Sequence, residues 1–499
     1  MDDLKQLWSK TPTKLAALAS VAAAGVAVDR RIALSNDLKQ LAVMGSVLRT
    51  GHRIMQTKTL VPDVFAEAAR KWPQKPCLAF EDRALTFQEV DEASNRVAHW
   101  ALRQGLVPGD KVALLMDNRP EFIISWLGLQ KMGAVAALIN TNLLADGLLH
   151  CIKIAEPKLV LVGVELLDKF AAVVPDLLGL GFHVYGDGVT HWFASPQYPF
   201  AQSLDDQLLT MDAQLATRPL RIKAEITPLD TAMLIYTSGT TGLPKAARVN
   251  HYLVLVRALG LKVYMEIGVH DSVYCPLPLY HTSGGNLAVG ICFYSGATLC
   301  IGKRFSTTRF WADVRNFDCT IVQYIGEMCR YLVNAPARPE DKENRVRAAF
   351  GNGLRPDVWN EFQDRFGIPV VHEFYGSTEG IMGFANYCTT PEDRGHLGKR
   401  GLFMKRLLGA KIVRYDVEKD DYVRGKNGFL EECNYDEVGE LICKIVSDDP
   451  ARKFGGYYGN AKESNKKVLR DVFTKGDAYF RTGDLFKIDS QHCWYFIDR

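Results

Sequence analysis

The sequence predicts an α/β protein with mostly parallel sheets covered by helices, followed by a smaller β-rich region. Strand and helix patterns alternate from residue 60, and the same rhythm returns after residue 231 and continues to about residue 371. Beyond residue 398 the pattern changes to short strands separated by polar turns. Alternating strands and helices are typical of parallel sheets with helices on their faces.

Local patterns place the elements of the first half. Apolar residues at helical spacing, Trp72-Pro73 and Gly105 as breakers, and short apolar runs distinguish helices from strands. The predicted elements are a helix over 61–72, a turn over 84–86, a helix over 87–104, a strand over 111–116, a helix over 121–133 and a strand over 134–139.

The sequence pattern of the final hundred residues predicts antiparallel strands. Residues 438–445 form an apolar run, and Lys426-Asn427-Gly428 is a polar turn of the kind that joins antiparallel strands. A chain of 499 residues is too long for one core. We therefore expect a helical, membrane-associating segment over 1–58, a large α/β domain over 59–398 and a β-rich subdomain over 399–499.

Composition excludes some classes of function. The net charge is only +3, which gives no electrostatic basis for binding nucleic acid. The eleven cysteines are scattered without a C-x-x-C pair, which favours reduced thiols in a cytosolic setting.

Two segments near the N-terminus suggest contact with a membrane. The apolar run Leu15–Val28 would form a helix of about 21 Å, shorter than the roughly 30 Å hydrocarbon core of a bilayer. A weak spanning helix, an interfacial anchor, a signal-peptide region and a plain surface helix all fit it, and we favour membrane association. Residues 38–55 have apolar residues at helical spacing and several basic residues. They suit a helix on an anionic surface or an ordinary amphipathic helix.

The most specific motif is Y-T-S-G-T-T-G-L-P-K, from Tyr236 to Lys245. Small residues let a backbone approach an anion, and hydroxyls, free N–H groups and a lysine can bind phosphate oxygens. The apolar run Thr231–Ile235 before it predicts a strand, so the loop should lie at a strand's C-terminal end. The spacing differs from that of the P-loop NTPases. A solvated turn is the simpler alternative.

This motif resembles the phosphate loop of the adenylate-forming enzymes, and the whole chain is similar to the group of fatty acid transport proteins and very-long-chain acyl-CoA synthetases. The supporting motifs, in the family's order, are I-N-T-N-L (139–143), L-L-H-C (148–151), P-L-Y-H-T-S-G (278–284), Y-I-G-E-M-C-R-Y-L-V-N-A-P (324–336), G-N-G-L-R-P-D-V-W (351–359), E-F-Y-G-S-T-E-G (373–380), F-G-G-Y (454–457) and R-T-G-D-L (481–485). They cover roughly residues 60 to 499, and the stretch 324–336 narrows the resemblance to this group.

The resemblance implies a fold of two α/β layers plus a β-barrel-like subdomain, and a fatty acid–CoA ligase that uses ATP, Mg²⁺ and coenzyme A. It implies that the acid attacks the α-phosphorus of ATP and that the acyl adenylate then reacts with coenzyme A. The residues implied to bind ATP are Tyr236, Thr237, Ser238, Gly239, Thr240, Thr241, Gly242, Lys245, Gly351, Asn352, Gly353, Tyr375, Gly376, Ser377, Thr378, Asp484 and Arg499. The residues implied to be catalytic are Lys245, Thr378, Glu379 and His281.

Residue chemistry agrees with several of these roles. Glu379 is a hard oxygen ligand suited to magnesium. Tyr375 offers a flat face for adenine, and Gly351 and Gly353 permit a close backbone approach to the base. Asp484 can accept two hydrogen bonds from a ribose diol. Each also has a plainer interpretation, such as a solvated acid or a simple turn.

The chain stops at Arg499, where the resemblance implies that relatives continue through a hinge into a mobile lid domain. We expect weak or absent turnover on this ground. The implied location is a plasma, inner or endoplasmic reticulum membrane, with the active site facing the cytoplasm. An adenylating enzyme for another carboxylic acid and a non-catalytic nucleotide- or lipid-binding form remain alternatives.

Overall fold

A computed structural model describes residues 33–186, 198–214, 225–237, 242–381, 383–388 and 391–499. Two segments with predicted roles lie outside the described residues. They are the apolar run Leu15–Val28 and the central part of the phosphate loop, Ser238–Thr241.

The described helices and strands are numbered here in chain order. The helices are α1 Leu34–Thr57, α2 Val61–Lys71, α3 Phe87–Arg103, α4 Pro120–Lys131, α5 Ala145–Ala155, α6 Leu167–Ala171, α7 Leu204–Leu209, α8 His251–Tyr264, α9 Val289–Ser295, α10 Phe310–Asn316, α11 Gly326–Asn334, α12 Pro356–Phe366, α13 Leu402–Leu408 and α14 Ala461–Lys466. The strands are β1 Pro76–Phe80, β2 Arg83–Thr86, β3 Lys111–Leu115, β4 Val135–Leu138, β5 Leu159–Gly163, β6 Gly181–Tyr185, β7 Ala201–Ser203, β8 Thr231–Thr237, β9 Lys245–Asn250, β10 Ser272–Cys275, β11 Thr298–Ile301, β12 Ile321–Ile325, β13 Ala348–Asn352, β14 Val371–Gly376, β15 Gly383–Cys388, β16 Ala410–Val413, β17 Tyr415–Asp416, β18 Asp421–Tyr422, β19 Gly439–Lys444, β20 Val468–Arg470, β21 Ala478–Ile488 and β22 Trp494–Asp498.

The chain divides into two compact units. The larger unit contains Ser46–Gly395 and Ile445–Val468. The smaller unit contains the described residues up to Gly45, together with His396–Lys444 and Leu469–Arg499.

Two mostly parallel sheets form the larger unit. The first has strand order β15-β14-β13-β12-β10-β11-β1-β2, with antiparallel pairs only at its two edges. The second has order β7-β6-β5-β3-β4-β8-β9, and only β9 is antiparallel to its neighbour. The carboxyl ends of the parallel strands within each sheet therefore meet at one edge, where open α/β sheets bind ligands.

Alternating side chains bury both faces of the second sheet. Val112 and Leu114 of β3 belong to a large core, to which both sheets and helices α2, α3, α4, α8 and α9 contribute. Ala113 and Leu115 belong to a separate core beneath helices α5 and α6. A strand that is buried on both faces reads as a continuous apolar run, which is why the sequence predicts β3 so clearly.

Local capping explains where the helices begin. Thr86 accepts a hydrogen bond from the backbone N–H of Glu89, and Glu89 accepts one from the backbone N–H of Thr86. This reciprocal pair starts α3 directly after β2. In the same way Asn250 ends β9 and accepts from the backbone N–H of Leu253, which starts α8.

The smaller unit is built on an open antiparallel sheet. Its strand order is β16-β19-β21-β20, and β22 pairs with β21. Helix α13 begins against the buried carboxylate of Asp37, which accepts from the backbone N–H groups of Gly401, Phe403 and Met404 at 2.7, 3.1 and 3.2 Å. A carboxylate from elsewhere in the chain thus satisfies the helix N-terminus.

Helix α1 confirms the predicted helix over residues 38–55. Its side chains Leu38 and Leu48 are more than half exposed. Among the described residues, no helix combines the length and apolar character required to cross a bilayer. A membrane role for this part of the chain stays a prediction.

The structure confirms the predicted fold class and corrects one element. Residues 84–86 were expected to form a turn, but Arg83–Thr86 is the edge strand β2, paired antiparallel with β1. The turn comes earlier, at Glu81 and Asp82, and Glu81 adopts a left-handed backbone. Only four residues long and half exposed, β2 lacks the apolar run that marks a buried strand.

The buried ammonium of Lys131 gives a test of this packing. Its Nζ atom donates to Asp91 Oδ1, Ser94 Oγ and Asn95 Oδ1 at 2.7, 2.8 and 2.7 Å. We expect Lys131→Met to lower the free energy of unfolding by about 2–4 kcal/mol, because it leaves these acceptors without their donor. Urea denaturation measures the change.

A matched control is Lys158→Met, since Lys158 Nζ lies 2.7 Å from Asp110 Oδ2 but its side chain is 53% exposed. An exposed pair should contribute less than about 1 kcal/mol. Equal losses in the two variants would contradict the argument from burial.

Candidate functional site

Predicted site residues meet where β8 and β14 end. These strands belong to different sheets of the larger unit. The two residues that bring their motifs into contact, Thr237 and Glu379, are 142 positions apart in the chain. Thr237, the last residue of β8, donates through Oγ1 to Glu379 Oε1 at 3.2 Å. The phosphate-loop motif and the E-F-Y-G-S-T-E-G motif therefore share one location.

The described ends of the phosphate loop form the top of a β-hairpin. Thr237 of β8 pairs with Lys245 of β9 in an antiparallel register. Gly242 has φ +120°, a backbone conformation that side-chain-bearing residues rarely adopt. This hairpin holds Lys245 at the carboxyl end of β8, where the sequence analysis expected the loop to lie.

The side chain of Tyr236 lies apart from this surface. It is buried on β8, and its hydroxyl donates to the carbonyl oxygen of Cys151 at 2.6 Å. Burial raises the pKa of this phenol well above its usual value. The buried side chain of Tyr236 is therefore not available to a nucleotide, and only its backbone could make such a contact.

The carboxylate of Glu379 is held by two hydroxyl groups. Besides Thr237, the hydroxyl of Tyr457 donates to Glu379 Oε1 at 2.7 Å. Its neighbour Thr378 shares a hydrogen bond with Thr282, whose Oγ1 lies 2.9 Å from Thr378 Oγ1. Both of these partners are neutral hydroxyl groups.

Lys245 is paired with an acid from another segment of the same unit. Its ammonium forms an ion pair with Glu463 of helix α14, and it lies 5.6 Å from the ring centroid of Tyr457. Lys466 Nζ contacts the other oxygen of Glu463 at 2.5 Å. The two lysines lower the pKa of Glu463 to about 2, so this acid is ionised at neutral pH. In this structure the carboxylate of Glu463 therefore pairs with Lys245, the cation that we expect to bind phosphate.

The buried side chain of Glu373 holds the loop over residues 351–354, which the sequence predicts to lie beside adenine. Glu373 accepts from the hydroxyl of Tyr324 at 2.5 Å and from the backbone N–H of Leu354 at 3.1 Å. Burial raises the pKa of Glu373 to about 8, although these hydrogen bonds and one from the backbone of Gly353 oppose the shift. Glu373 thus ties the Gly351–Leu354 loop to strand β14.

Close backbone packing shapes the same loop. A side chain at Gly326 would place its Cβ 1.7 Å from the carbonyl oxygen of Gly353, and one at Gly351 would lie 2.2 Å from that of Tyr324. Gly353 itself has φ +78° and is exposed. Only glycine permits these approaches at Gly326 and Gly351. The expected approach of the loop to a base stays a prediction.

Tyr375 lies on β14 two residues after Glu373, and His281 precedes Thr282, which contacts Thr378. The ring of Tyr375 stacks on Phe384 of β15, with centroids 5.8 Å apart. His281 immediately precedes a π-helix over Thr282–Ala288, a rare form that is frequent at functional sites. Partial desolvation lowers the pKa of the His281 imidazole, so its ring is neutral at pH 7.

Two of the predicted nucleotide ligands belong to the smaller unit. Asp484 is buried on β21, and its Oδ1 lies 3.5 Å from Nε of Arg499. Their predicted contact with a ribose stays a prediction.

Sequence reasoning missed four residues of the site. Tyr457 stands in F-G-G-Y, which served only to support the family resemblance. Glu373 opens the E-F-Y-G-S-T-E-G motif but was given no role of its own. Glu463 and Arg257 lie outside the quoted motifs, and each acts through a partner that is distant in the chain.

The donor set fits one magnesium ion shared with a substrate. No cluster of three or more His, Cys, Asp or Glu side chains capable of holding a metal occurs in the part of the chain that the structure describes. Magnesium commonly binds through one or two carboxylates plus substrate phosphates rather than a full protein cage. Glu379, with hydroxyls around it, meets that description.

Comparison with protein families gives a match over most of the chain. A family model described as "AMP-binding enzyme" matches residues 65–444. The chain is 41% identical over 466 residues to long-chain fatty acid transport protein 2 of Rattus norvegicus, covering 92% of this chain and 72% of that protein. It is 31% identical over 512 residues to the very long-chain fatty acid transport protein of Cochliobolus heterostrophus, covering 100% and 76%.

Solved structures share the fold at low sequence identity. An anthranilate–CoA ligase in complex with anthranoyl-AMP aligns with a TM-score of 0.71 at 20% identity, covering 88% of this chain and 78% of that one. A long-chain-fatty-acid–CoA ligase from Archaeoglobus fulgidus aligns with a TM-score of 0.69 at 18% identity, covering 89% and 84%. These matches confirm the predicted fold class.

The ion pair of Lys245 gives a first prediction for the site. Glu463→Gln removes a carboxylate that competes with phosphate for this ammonium, so we expect ATP to bind about 2- to 5-fold more tightly. Titration with a fluorescent ATP analogue measures the change. Glu156→Gln is the control, because Glu156 accepts from Tyr458 but does not contact Lys245. Unchanged or weaker binding in the Glu463 variant would contradict this competition.

The buried carboxyl of Glu373 gives a second prediction, for stability. Its folded pKa of about 8 exceeds the ordinary value of 4.5, so the folded state binds the extra proton between these pH values. Stability from this group is therefore present below about pH 4.5 and is lost as pH rises through 8. Glutamine has the shape of the protonated acid but does not ionise.

We expect the stability of the wild type relative to Glu373→Gln to fall by roughly 3–5 kcal/mol between pH 5 and pH 9. Urea denaturation at several pH values provides the difference, in which groups common to both proteins cancel. A difference that does not change with pH would show that Glu373 titrates normally.

Proposed function

Because the chain belongs to the AMP-binding enzyme family, we propose that it is a fatty acid–CoA ligase for long-chain or very-long-chain acids. It uses ATP to form an acyl adenylate and transfers the acyl group to coenzyme A. The family match and the relatives named as fatty acid transport proteins support this assignment. Trapping the acid as a thioester would link the reaction to fatty acid uptake.

One observation carries the proposal for the site. Thr237 at the phosphate loop contacts Glu379 directly, and Tyr457 links Glu379 to the region of Lys245. A donor, a cation and a carboxylate thus stand together at the carboxyl ends of two sheets. This is the set required to position a nucleoside triphosphate and neutralise its charge.

Each of these residues has a role in the proposed reaction. A carboxylate oxygen of the acid attacks the α-phosphorus of ATP, and pyrophosphate leaves. Lys245 and the phosphate loop hold the β- and γ-phosphates, and Thr378 donates to the α-phosphate. Glu379 would hold Mg²⁺, which when bound adds positive charge beside the phosphates. The protein does little covalent chemistry, so its contribution is orientation and electrostatic stabilisation.

The remaining assignments concern adenosine and the acid. The Gly351–Gly353 loop and Tyr375 contact adenine in this proposal, with Glu373 keeping the loop in place. Asp484 and Arg499 serve the ribose. A neutral His281 orients the acid rather than transferring a proton.

We also propose that the protein works at a membrane surface, with its site on the cytoplasmic side. The relatives' names as transport proteins and the half-exposed leucines of α1 support this location. Long-chain acids partition into membranes, which places their activation at that surface.

ATP–pyrophosphate exchange tests the reaction. We expect exchange that depends on saturated C16 to C24 fatty acids and is absent with benzoate or amino acids. Exchange supported by benzoate or by an amino acid, but by no long-chain acid, would contradict the proposed substrate class.

Two lysines that contact the same acid make a matched pair for this assay. We expect Lys245→Ala to lower exchange by at least about 100-fold, because it removes a preorganised charge from the phosphates. Lys466→Ala, which also loses a contact with Glu463 but lies outside the phosphate loop, should retain exchange. Equal losses of exchange activity in the two variants would mean that the lost contact with Glu463, rather than lost phosphate binding, lowers the exchange rate.

A further inference from the structure

We propose that Arg257 binds the carboxylate of the acid substrate through Nη1, while its Nη2 holds the loop that carries Glu379. The inference rests on the proposed function, since it names the group that recognises the acid. Arg257 lies on helix α8 and was not among the residues that the sequence pointed to.

The Nη2 atom clamps the loop on both sides of Glu379. It donates to the carbonyl oxygen of Thr378 at 3.2 Å and to that of Gly380 at 2.8 Å. The guanidinium therefore contacts the backbone immediately before and after the proposed metal ligand. Its fixed position follows from these two carbonyls, because the planar fork of arginine has little freedom once one nitrogen is held.

The Nη1 atom is buried and has no hydrogen-bond acceptor among the described residues. A buried donor of a charged group without an acceptor is costly, so its persistence calls for a ligand. A guanidinium keeps its positive charge at neutral pH in proteins. The ligand should therefore be an anion.

The surroundings favour an anion attached to an apolar chain. Helix α8 is almost wholly apolar next to Arg257, and its Ala258 packs closely on Gly290 of helix α9. A Cβ added to Gly290 would lie 2.9 Å from that of Ala258. Arg257 thus places one positive charge among the apolar residues of helix α8 and beside the Thr378–Gly380 loop. A fatty acid carries this combination of carboxylate and alkyl chain.

The same donor could instead meet the α-phosphate of ATP, so the experiment separates these two oxyanions. Equilibrium binding of radiolabelled palmitate, of radiolabelled 1-hexadecanol and of a fluorescent ATP analogue is measured on the wild type and on Arg257→Gln. The alcohol has the same chain length but no carboxylate. We expect palmitate affinity to fall by about 10-fold or more, with hexadecanol and ATP affinities changed by less than about 3-fold.

Arg365→Gln is the matched control. Arg365 also clamps backbone carbonyls, those of Val333 and Ala335 at 2.6 and 2.8 Å, and it pairs with Asp341. Its loss should leave the preference for palmitate over hexadecanol intact. If Arg257→Gln does not fold, Arg257→Lys keeps the charge without the fork and should reduce that preference several-fold.

Several results would overturn the inference. An equal fall for palmitate and hexadecanol would make Arg257 a structural residue only. A fall in ATP affinity with palmitate unchanged would assign Nη1 to the phosphate. Wild-type protein that binds neither lipid would instead overturn the proposed function, on which the inference depends.

Discussion

The hydrogen bond between Thr237 and Glu379 joins the carboxyl ends of two parallel sheets, and the candidate site depends on that meeting. Parallel strands bring their carboxyl ends to one edge, and loops there can carry polar groups without breaking the core. Two such edges meet at one place in the larger unit. Residues far apart in the chain therefore lie at one location, and strands hold them in position.

Buried ionisable groups hold the loops at this site in position. Glu373 ties the adenine-side loop to β14, and Arg257 ties the Glu379 loop to helix α8. Burying each group costs desolvation energy, and the hydrogen bonds of each group orient a loop that we propose to contact the substrates. The ion pair of Lys245 with Glu463 is different, because it is partly exposed and can exchange one anion for another.

Much of the architecture could be predicted from local patterns. The buried strands β3, β4 and β8 are continuous apolar runs. The phosphate-loop motif is recognisable from its residues and begins at the end of β8. Strand β2 could not be predicted, because an edge strand of four half-exposed residues has no distinctive pattern. The contacts of Glu463, Glu373 and Arg257 could not be predicted either, since burial and pairing arise only when distant segments come together.

The most direct test of the account follows oxygen atoms. Palmitate labelled with ¹⁸O in its carboxylate is incubated with the protein, ATP, magnesium and coenzyme A, and the AMP released is analysed by mass spectrometry. Attack of the carboxylate on the α-phosphorus predicts one ¹⁸O atom in each AMP molecule. AMP free of label, with ATP consumed, would show that water rather than the acid attacks phosphorus and would contradict acyl adenylation.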